Sequence, residues 1–201
     1  SGIVGSAVGM AVAGLRPVVE MQFSGFAYPG FNQMISHMSR MRNRSRGQYS
    51  SSVVLRMPYG GGIKALEHHS ESMEALYGHV PGLKVVIPST PHDAKGLLIS
   101  AIEGDDPVIY MEPKRIYRAV KQEVSDDRFK VQIGKANIVQ QGTDVTVVSY
   151  GAMMRDTQKA IAMAKAIAPK NRPKPRTMIS LASPIWRRAT TPVRTRIAAF
   201  V

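Results

Sequence analysis

The sequence predicts an α/β protein: a mainly parallel sheet with helices on both faces, followed by a partial second α/β domain. Short apolar runs occur at residues 17–23, 51–58, 82–88 and 106–113, and segments with helical spacing separate them. Each run is apolar almost throughout, which is typical of strands that are buried on both faces. The alternation of such strands with helices indicates a parallel sheet that is covered on both sides.

The first two helices are indicated by their composition and spacing. The segment after Ser1 is rich in small residues and should end at Gly14, because glycine is a favourable stop for a helix. Residues 28–44 are predicted to form a second helix with an apolar stripe on one face. That stripe consists of Phe31, Met34, Ile35, Met38 and Met41.

A further helix is predicted after Thr90, which is a suitable N-cap. Pro91 then occupies the first helical position and Asp93 lies in the first turn, where its charge favours the helix dipole. Its expected buried face comprises Ala94, Leu97, Leu98, Ala101 and Ile102. Residues 71–80 should contain a short helix, and residues 152–167 an amphipathic one.

Four segments divide the chain: a first domain at 1–113, a linker at 114–130, the start of a second domain at 131–168, and a basic tail at 169–201. The tail contains eight basic residues, five prolines and no acidic residue. An α/β unit should supply another strand there, yet the tail shows neither helical nor strand periodicity. We hypothesise a reading-frame shift near residues 168–172.

Composition excludes several classes of function. The absence of cysteine excludes disulfides, thiolate metal sites and cysteine catalysis, and it suits a reducing cytoplasm. The net charge is +13, but residues 1–168 carry 19 basic and 14 acidic side chains. A second basic cluster, RMRNRSRGQ, lacks the signatures of nucleic-acid binding and favours a solvated helix end or contact with an acidic partner subunit. Neither a signal peptide nor a membrane helix is expected.

Candidate site residues follow the predicted strands. The stretches MQFSGF, MPYGGG and MEPKR begin at strand carboxyl ends, where parallel sheets bind their ligands. His68 and His69 follow the glycine run, and a histidine there is an acid/base candidate or a surface or capping residue. Their surroundings match no zinc-binding, Ser-His-Asp or phosphate-loop pattern.

Aromatic residues concentrate in MQFSGFAYPGFNQ, which holds three of the five phenylalanines and one of the seven tyrosines. Aromatic side chains dominate core packing, so a role in the core is one interpretation. An aromatic platform for a flat ligand is the other.

Several ordered motifs carry a resemblance to a known family. GLRPVVEMQF, YPGFNQ, MPYGGG, LEHHSES, YGHVPGLKVVIPSTPHDAKGLL and DPVIYMEPKRIYR resemble the β subunit of the thiamine-dependent 2-oxo-acid dehydrogenase first components, in particular the bacterial pyruvate dehydrogenases. The match runs almost continuously from residue 1 to about residue 168. It implies a transketolase-like pyrimidine-binding fold with a smaller C-terminal α/β domain.

The resemblance also implies an activity and partners. The family decarboxylates pyruvate oxidatively and transfers the acyl group to a lipoyl-bearing second component. It works as an α2β2 heterotetramer with thiamine diphosphate between the subunits; α holds the diphosphate and Mg2+, and β holds the aminopyrimidine. The expected compartment is the bacterial cytoplasm, or the mitochondrial matrix in a eukaryote.

The resemblance assigns the family's site residues to individual positions of this sequence. Phe26 matches the residue that stacks on the aminopyrimidine, and Gln22 matches a position beside the same ring. His69 matches the active-site histidine that stabilises or protonates intermediates and meets the lipoyl group. A backbone-carbonyl potassium site would align with Ala101, Ile102, Gly104 and Asp106, although a plain loop after a helix is the alternative.

One family residue falls just outside the sequence. The glutamate that activates the cofactor would directly precede Ser1, and the preceding strand and helix of the domain would lie further upstream. If the 201 residues were the whole protein, we would expect catalysis to fail.

Three other functions remain open at this stage. They are a branched-chain 2-oxo-acid or acetoin dehydrogenase β subunit, an inactive interaction or scaffold protein, and a basic nucleic-acid binder that rests on charge alone.

Overall fold

The computed structural model describes residues 1–142 and 145–167, together with the backbone of residues 196–199. The chain divides into two compact units, one formed by Ser1–Ile133 and the other beginning at Gly134. Apart from the backbone of 196–199, the predicted basic tail and its hypothesised frame shift lie outside the described residues.

Helices and strands alternate along the first unit. Its strands are β1 (Val18–Glu20), β2 (Val54–Tyr59), β3 (Lys84–Val86) and β4 (Val108–Pro113). Its α-helices are α1 (Gly2–Val12), α2 (Phe31–Gln33), α3 (Met41–Arg44), α4 (Glu74–Gly78) and α5 (Pro91–Glu103). Short 3-10 turns lie at Ser24–Gly30, Glu67–His69 and Lys114–Ile116.

The four strands form one parallel sheet in the order β1-β2-β4-β3. Val54 lies opposite Val108 in the two central strands, and the register holds to Tyr59 opposite Pro113. The predicted parallel sheet with helices on both faces is confirmed. The apolar runs are buried nearly throughout because both faces of the central strands are covered.

Alternate residues of the central strands enter two separate cores. Leu55 and Ile109 face the layer that contains α1 and the methionine-rich segment, whereas Val54 and Val108 face α5. The period of two along each strand sends neighbouring side chains to opposite faces, so one apolar run supplies both cores.

The predicted end of α1 and the predicted start of α5 are confirmed. Gly14 adopts a φ of 91°, a left-handed conformation that suits glycine, and α1 ends just before it. The Thr90 hydroxyl accepts a hydrogen bond from the backbone N–H of Asp93 at 3.1 Å, which caps α5.

The single helix predicted for residues 28–44 is wrong. A 3-10 turn that contains Pro29 leads into α2, a π turn spans Met34–Met38, and α3 follows. The backbone N–H of Ser39 bonds to the Met34 carbonyl, five residues back, and the Ser39 hydroxyl donates to the Ile35 carbonyl. Met34 and Met38 remain fully buried, so the apolar stripe was identified although the helix type was not.

Residues 117–133 contain no regular element and run along α5. Val131 donates its backbone N–H to the Gly96 carbonyl at 3.2 Å, and Val131 and Ile133 pack against the α5-side core. This segment contains most of the range predicted to be a polar linker, 114–130, and the first three residues of the predicted second domain, and it is attached to the first unit as far as Ile133.

The second unit contains a three-stranded sheet and one described helix. Its elements are β5 (Asn137–Gln141), β6 (Val147–Ser149), α6 (Met153–Ile167) and β7 (Arg196–Ala199). β7 lies between the other two strands, antiparallel to β5 and parallel to β6. The tail thus supplies the strand that an α/β unit requires, although its sequence gave no strand signal.

Candidate functional site

Three chain segments meet at the end of the parallel sheet where the strands have their carboxyl ends, which we call its carboxyl edge. The Ser24–Gly30 turn follows β1, the Glu67–His69 turn follows β2, and the Lys114–Ile116 turn follows β4. Because β1, β2 and β4 are consecutive neighbours in the sheet, the turns after them converge. Ligands of open parallel sheets bind at this edge.

Aromatic and histidine side chains from these turns form one group, which we call the carboxyl-edge cluster: Phe23, Phe26, His68, His69 and Lys114. The Phe23 ring lies 4.6 Å from the His69 ring and 5.8 Å from the Phe26 ring, centroid to centroid. Phe26 lies 5.5 Å from His69 in a nearly perpendicular arrangement. Edge-to-face contacts of this kind are favourable for aromatic rings and fix their mutual orientation.

Phe26 and Gln22 lie where a ligand could reach them. Phe26 is 39% exposed although it contacts the rings of Phe23, His68 and His69, so part of its surface is available. Gln22 is exposed on the segment between β1 and Phe23. The sequence-predicted pair therefore lies on one short stretch at the carboxyl edge.

The His69 ring is oriented by its own turn. Its Nδ1 atom lies 3.0 Å from the Leu66 carbonyl oxygen, and a carbonyl can only accept a hydrogen bond. Nδ1 therefore carries the hydrogen in this contact, and Nε2 is the nitrogen that can exchange a proton with a ligand. Glu67 adopts a φ of 52°, a rare conformation for residues other than glycine and one that occurs often at functional sites.

Gly25 allows the β1 and β2 turns to pack together. A Cβ at this position would lie 2.7 Å from the His68 Cα and closer still to the His68 carbonyl oxygen. Nearby, the Ser24 hydroxyl donates to the Glu71 carbonyl at 3.1 Å and the Gly60 N–H donates to the same oxygen at 2.7 Å. Backbone therefore meets backbone here, and a side chain has no room.

Replacing Gly25 with alanine should separate the two turns. Relieving overlap between a Cβ and rigid backbone typically costs about 1–3 kcal/mol, so we expect a comparable loss in the free energy of unfolding. Urea unfolding measures this loss. Gly61→Ala is the matched control, because a Cβ at Gly61 would meet nothing within 4 Å; equal stability of both variants would contradict the close approach at Gly25.

Lys114 belongs to the cluster although sequence reasoning missed it. Its residue surface is 9% exposed, its ammonium donates a hydrogen bond to the His69 carbonyl oxygen, and its Nζ lies 4.8 Å from the centre of the Phe23 ring. Burial lowers the pKa of this ammonium from its usual value. The stretch MEPKR was recognised as a strand end, which was the available signal, but nothing local indicated that its lysine turns inward.

The segment predicted to bind potassium lies at the opposite edge of the sheet. Asp106 precedes β4 and Lys114 follows it, so the two positions are roughly 26 Å apart along the strand at about 3.3 Å per residue. Arg16 donates to the Ile102 carbonyl at 3.2 Å, to the Gly104 carbonyl at 2.7 Å and to the Asp105 carboxylate at 2.7 Å. A guanidinium therefore bonds to two of the four predicted carbonyls and places a positive charge beside them, which disfavours a second cation there.

The contacts of Arg16 lead to a test of whether potassium affects the stability of the protein. We expect the thermal midpoint of the protein to be the same in potassium and sodium chloride at equal ionic strength. Arg16→Met should lower the midpoint by about 2–4 °C in either salt, since it removes roughly 1 kcal/mol of hydrogen bonding. Arg118→Met, an exposed arginine after β4, is the control. A potassium-specific rise in the midpoint of the unmodified protein would contradict this expectation.

The described part of the chain offers neither a metal site nor a membrane-spanning helix. Residues 1–142 and 145–167 contain no group of three or more His, Cys, Asp or Glu side chains able to hold a metal ion. None of the helices described in these ranges is long and apolar enough to cross a membrane.

Fold and cluster together define a parallel-sheet α/β domain with an aromatic and histidine site at its carboxyl edge. The transketolase pyrimidine-binding domain family matches residues 1–120. The chain belongs to this family.

Curated relatives share one name, pyruvate dehydrogenase E1 component subunit beta. The protein of Acholeplasma laidlawii is 59% identical over 166 residues, covering 83% of this chain and 51% of the relative. That of Mycoplasma pneumoniae is 54% identical over 154 residues, with 77% and 47% coverage. That of Bacillus subtilis is 48% identical over 160 residues, with 80% and 49% coverage. The chain thus spans about half the length of these relatives.

A solved structure supports the fold independently. The chain resembles a split-gene transketolase, described as an inactive β4 tetramer, with a TM-score of 0.67 over 98% of this chain and 52% of that chain. The sequence identity is 20%, so this likeness concerns the fold alone.

Proposed function

We propose that the chain acts as the β part of a pyruvate dehydrogenase first component, which decarboxylates pyruvate oxidatively and passes the acyl group to a lipoyl domain. The observation that supports this most directly is the carboxyl-edge cluster in a chain similar to pyruvate dehydrogenase E1 β subunits. Under this proposal residues 1–113 are the pyrimidine-binding domain, and the C-terminal domain begins at residue 131.

The cluster fits the cofactor that this function needs. A half-exposed Phe26 ring offers a partner for a flat heteroaromatic ring, and the exposed Gln22 amide offers both a donor and an acceptor beside it. Thiamine diphosphate, when bound, supplies a nucleophilic carbon and accepts the electrons that decarboxylation releases. Phe26 and Gln22 would hold the aminopyrimidine, while the diphosphate and its Mg2+ would bind mainly to the α subunit.

His69 would move a proton in the acyl-transfer half of the reaction. With Nδ1 donating to the Leu66 carbonyl, Nε2 would donate a proton to the sulfur released when acylation breaks the lipoyl S–S bond, or to an oxygen of the substrate. The two electrons released by decarboxylation reduce that disulfide. The two phenylalanine rings around the imidazole reduce access of water on their side. The hydrogen bond to Leu66 and the ring contacts together limit the rotation of the imidazole.

The proposal implies partners. The α subunit would complete the cofactor site in an α2β2 assembly, and the lipoyl-bearing acyltransferase would approach the carboxyl edge, where His69 lies. We expect neither nucleic acid nor membrane as a partner, and we expect the bacterial cytoplasm as the compartment.

The test is a comparison of substrates in the assembled α–β enzyme. We expect a higher kcat/KM for pyruvate than for branched-chain 2-oxo acids or acetoin, measured by decarboxylation with an artificial electron acceptor. Acyl transfer to a free lipoyl domain is then followed separately. A preference for branched-chain substrates or acetoin would reject pyruvate. A correctly assembled, cofactor-loaded protein that turns over none of them would reject the enzyme and favour a scaffold.

A further inference from the structure

The burial of Lys114 needs a physical explanation. An ammonium group loses hydration when it is buried, which is costly unless polar groups replace the water. The described partners of its Nζ are the His69 carbonyl oxygen and the π face of Phe23, at 4.8 Å from the ring centre. Both partners belong to the carboxyl-edge cluster, and neither is a carboxylate, so a structural ion pair does not account for the buried charge.

The contact joins β4 to the turn that carries His69. Lys114 directly follows β4, which lies in the centre of the sheet, and the Glu67–His69 turn lies between the glycine-rich loop after β2 and α4. The loop includes Gly60 and Gly62, both with positive φ, and Lys64 at a φ of 57°. A loop of this composition fixes a turn weakly. The Gly25–His68 contact and the bonds to the Glu71 carbonyl hold the turn against the β1 turn, and Lys114 adds a contact from a central strand to the His69 backbone itself.

We propose that Lys114 is a positioning residue for His69. Its ammonium fixes the backbone of His69 through the carbonyl, while the Nδ1 contact with Leu66 fixes the ring, so the two bonds together aim Nε2. This inference rests on the proposed function, because it assigns Lys114 to the histidine step of that reaction.

Two variants and one control separate positioning from folding. Lys114→Met keeps the length and apolar stem of the side chain and removes the charge; since burying an ammonium is costly, we expect its thermal midpoint to be no lower than that of the parent. Lys114→Arg keeps the charge. Lys121→Met removes an exposed lysine beyond the cluster and should change nothing.

In the assembled α–β enzyme, Lys114→Met should lower acyl transfer to a free lipoyl domain by about tenfold or more, because small displacements of a catalytic group are costly. Decarboxylation with an artificial acceptor should change by less than about twofold. Lys114→Arg, which keeps a donor for the His69 carbonyl, should restore most of the acyl transfer.

An NMR spectrum of the His69 ring without substrate gives a readout that is independent of the proposed function. The signal of the Nδ1–H proton bonded to the Leu66 carbonyl should shift or broaden in Lys114→Met and be restored in Lys114→Arg, because the turn loses and then regains its anchor. An unchanged signal, or equal loss in both half-reactions, would overturn the positioning role. If instead the parent enzyme shows no turnover while the signal changes as expected, the proposed function fails and the Lys114–His69 coupling stands.

Discussion

Replacement of His69 by alanine is expected to lower acyl transfer to the lipoyl domain by about 100-fold, while decarboxylation falls by less than about tenfold. The difference follows from the position of Nε2. Nδ1 is engaged by the Leu66 carbonyl, so Nε2 is the ring atom that can donate a proton to the sulfur released when a lipoyl disulfide is opened. Single-turnover decarboxylation and acylation of a free lipoyl domain, measured on the same assembled enzyme, separate the two steps.

Two further variants sharpen the result. His69→Asn keeps an N–H near the Nδ1 position and can preserve the bond to Leu66, but it lacks Nε2; we expect the same loss of acyl transfer with less loss of stability. His68→Ala is the matched control, because its ring is exposed and its nearest described aromatic contacts are 6.3 Å away. Equal loss of both steps in His69→Ala would assign His69 a general structural role instead.

Local sequence signals predicted the first unit well. The continuous apolar runs, the capping Thr90 and the helix stop at Gly14 each depend on residues close together in the chain, and the structure confirms all three. Local signals indicated the loops after predicted strands that contain Phe26, His68 and His69, whereas the choice of Phe26 and His69 within them came from the family resemblance.

Other features depend on contacts between distant segments. The Arg16 side chain reaches residues 86 to 89 positions away, and Lys114 meets His69 across 45 positions. The π turn at Met34–Met38 keeps both methionines buried. It depends on packing against the rest of the fold, which a 3.6-residue period in the sequence does not reveal. β7 pairs with two strands, so its partners rather than its sequence account for its conformation.

Replacement of Phe26 by alanine is expected to raise the dissociation constant of thiamine diphosphate by about tenfold in the assembled enzyme. Aromatic pairing contributes about 0.5–1.5 kcal/mol beyond burial, and 1.4 kcal/mol corresponds to a factor of ten. Phe26 also contacts Phe23 and His69, at 5.8 Å and 5.5 Å between ring centres. Turnover at saturating cofactor should therefore fall as well, because the aminopyrimidine ring of the cofactor and the His69 imidazole both lose a surface that orients them. Calorimetric titration with the cofactor and Mg2+ measures the affinity.

Phe26→Leu distinguishes stacking from apolar burial. Leucine keeps most of the apolar contact area but has no π face, so a role in burial alone predicts near-normal affinity, whereas stacking predicts a loss approaching that of Phe26→Ala. Tyr49→Ala is the matched control: this aromatic residue is 48% exposed and lies before β2, at the amino edge of the sheet. Unchanged affinity and unchanged turnover in Phe26→Ala would remove Phe26 from the site.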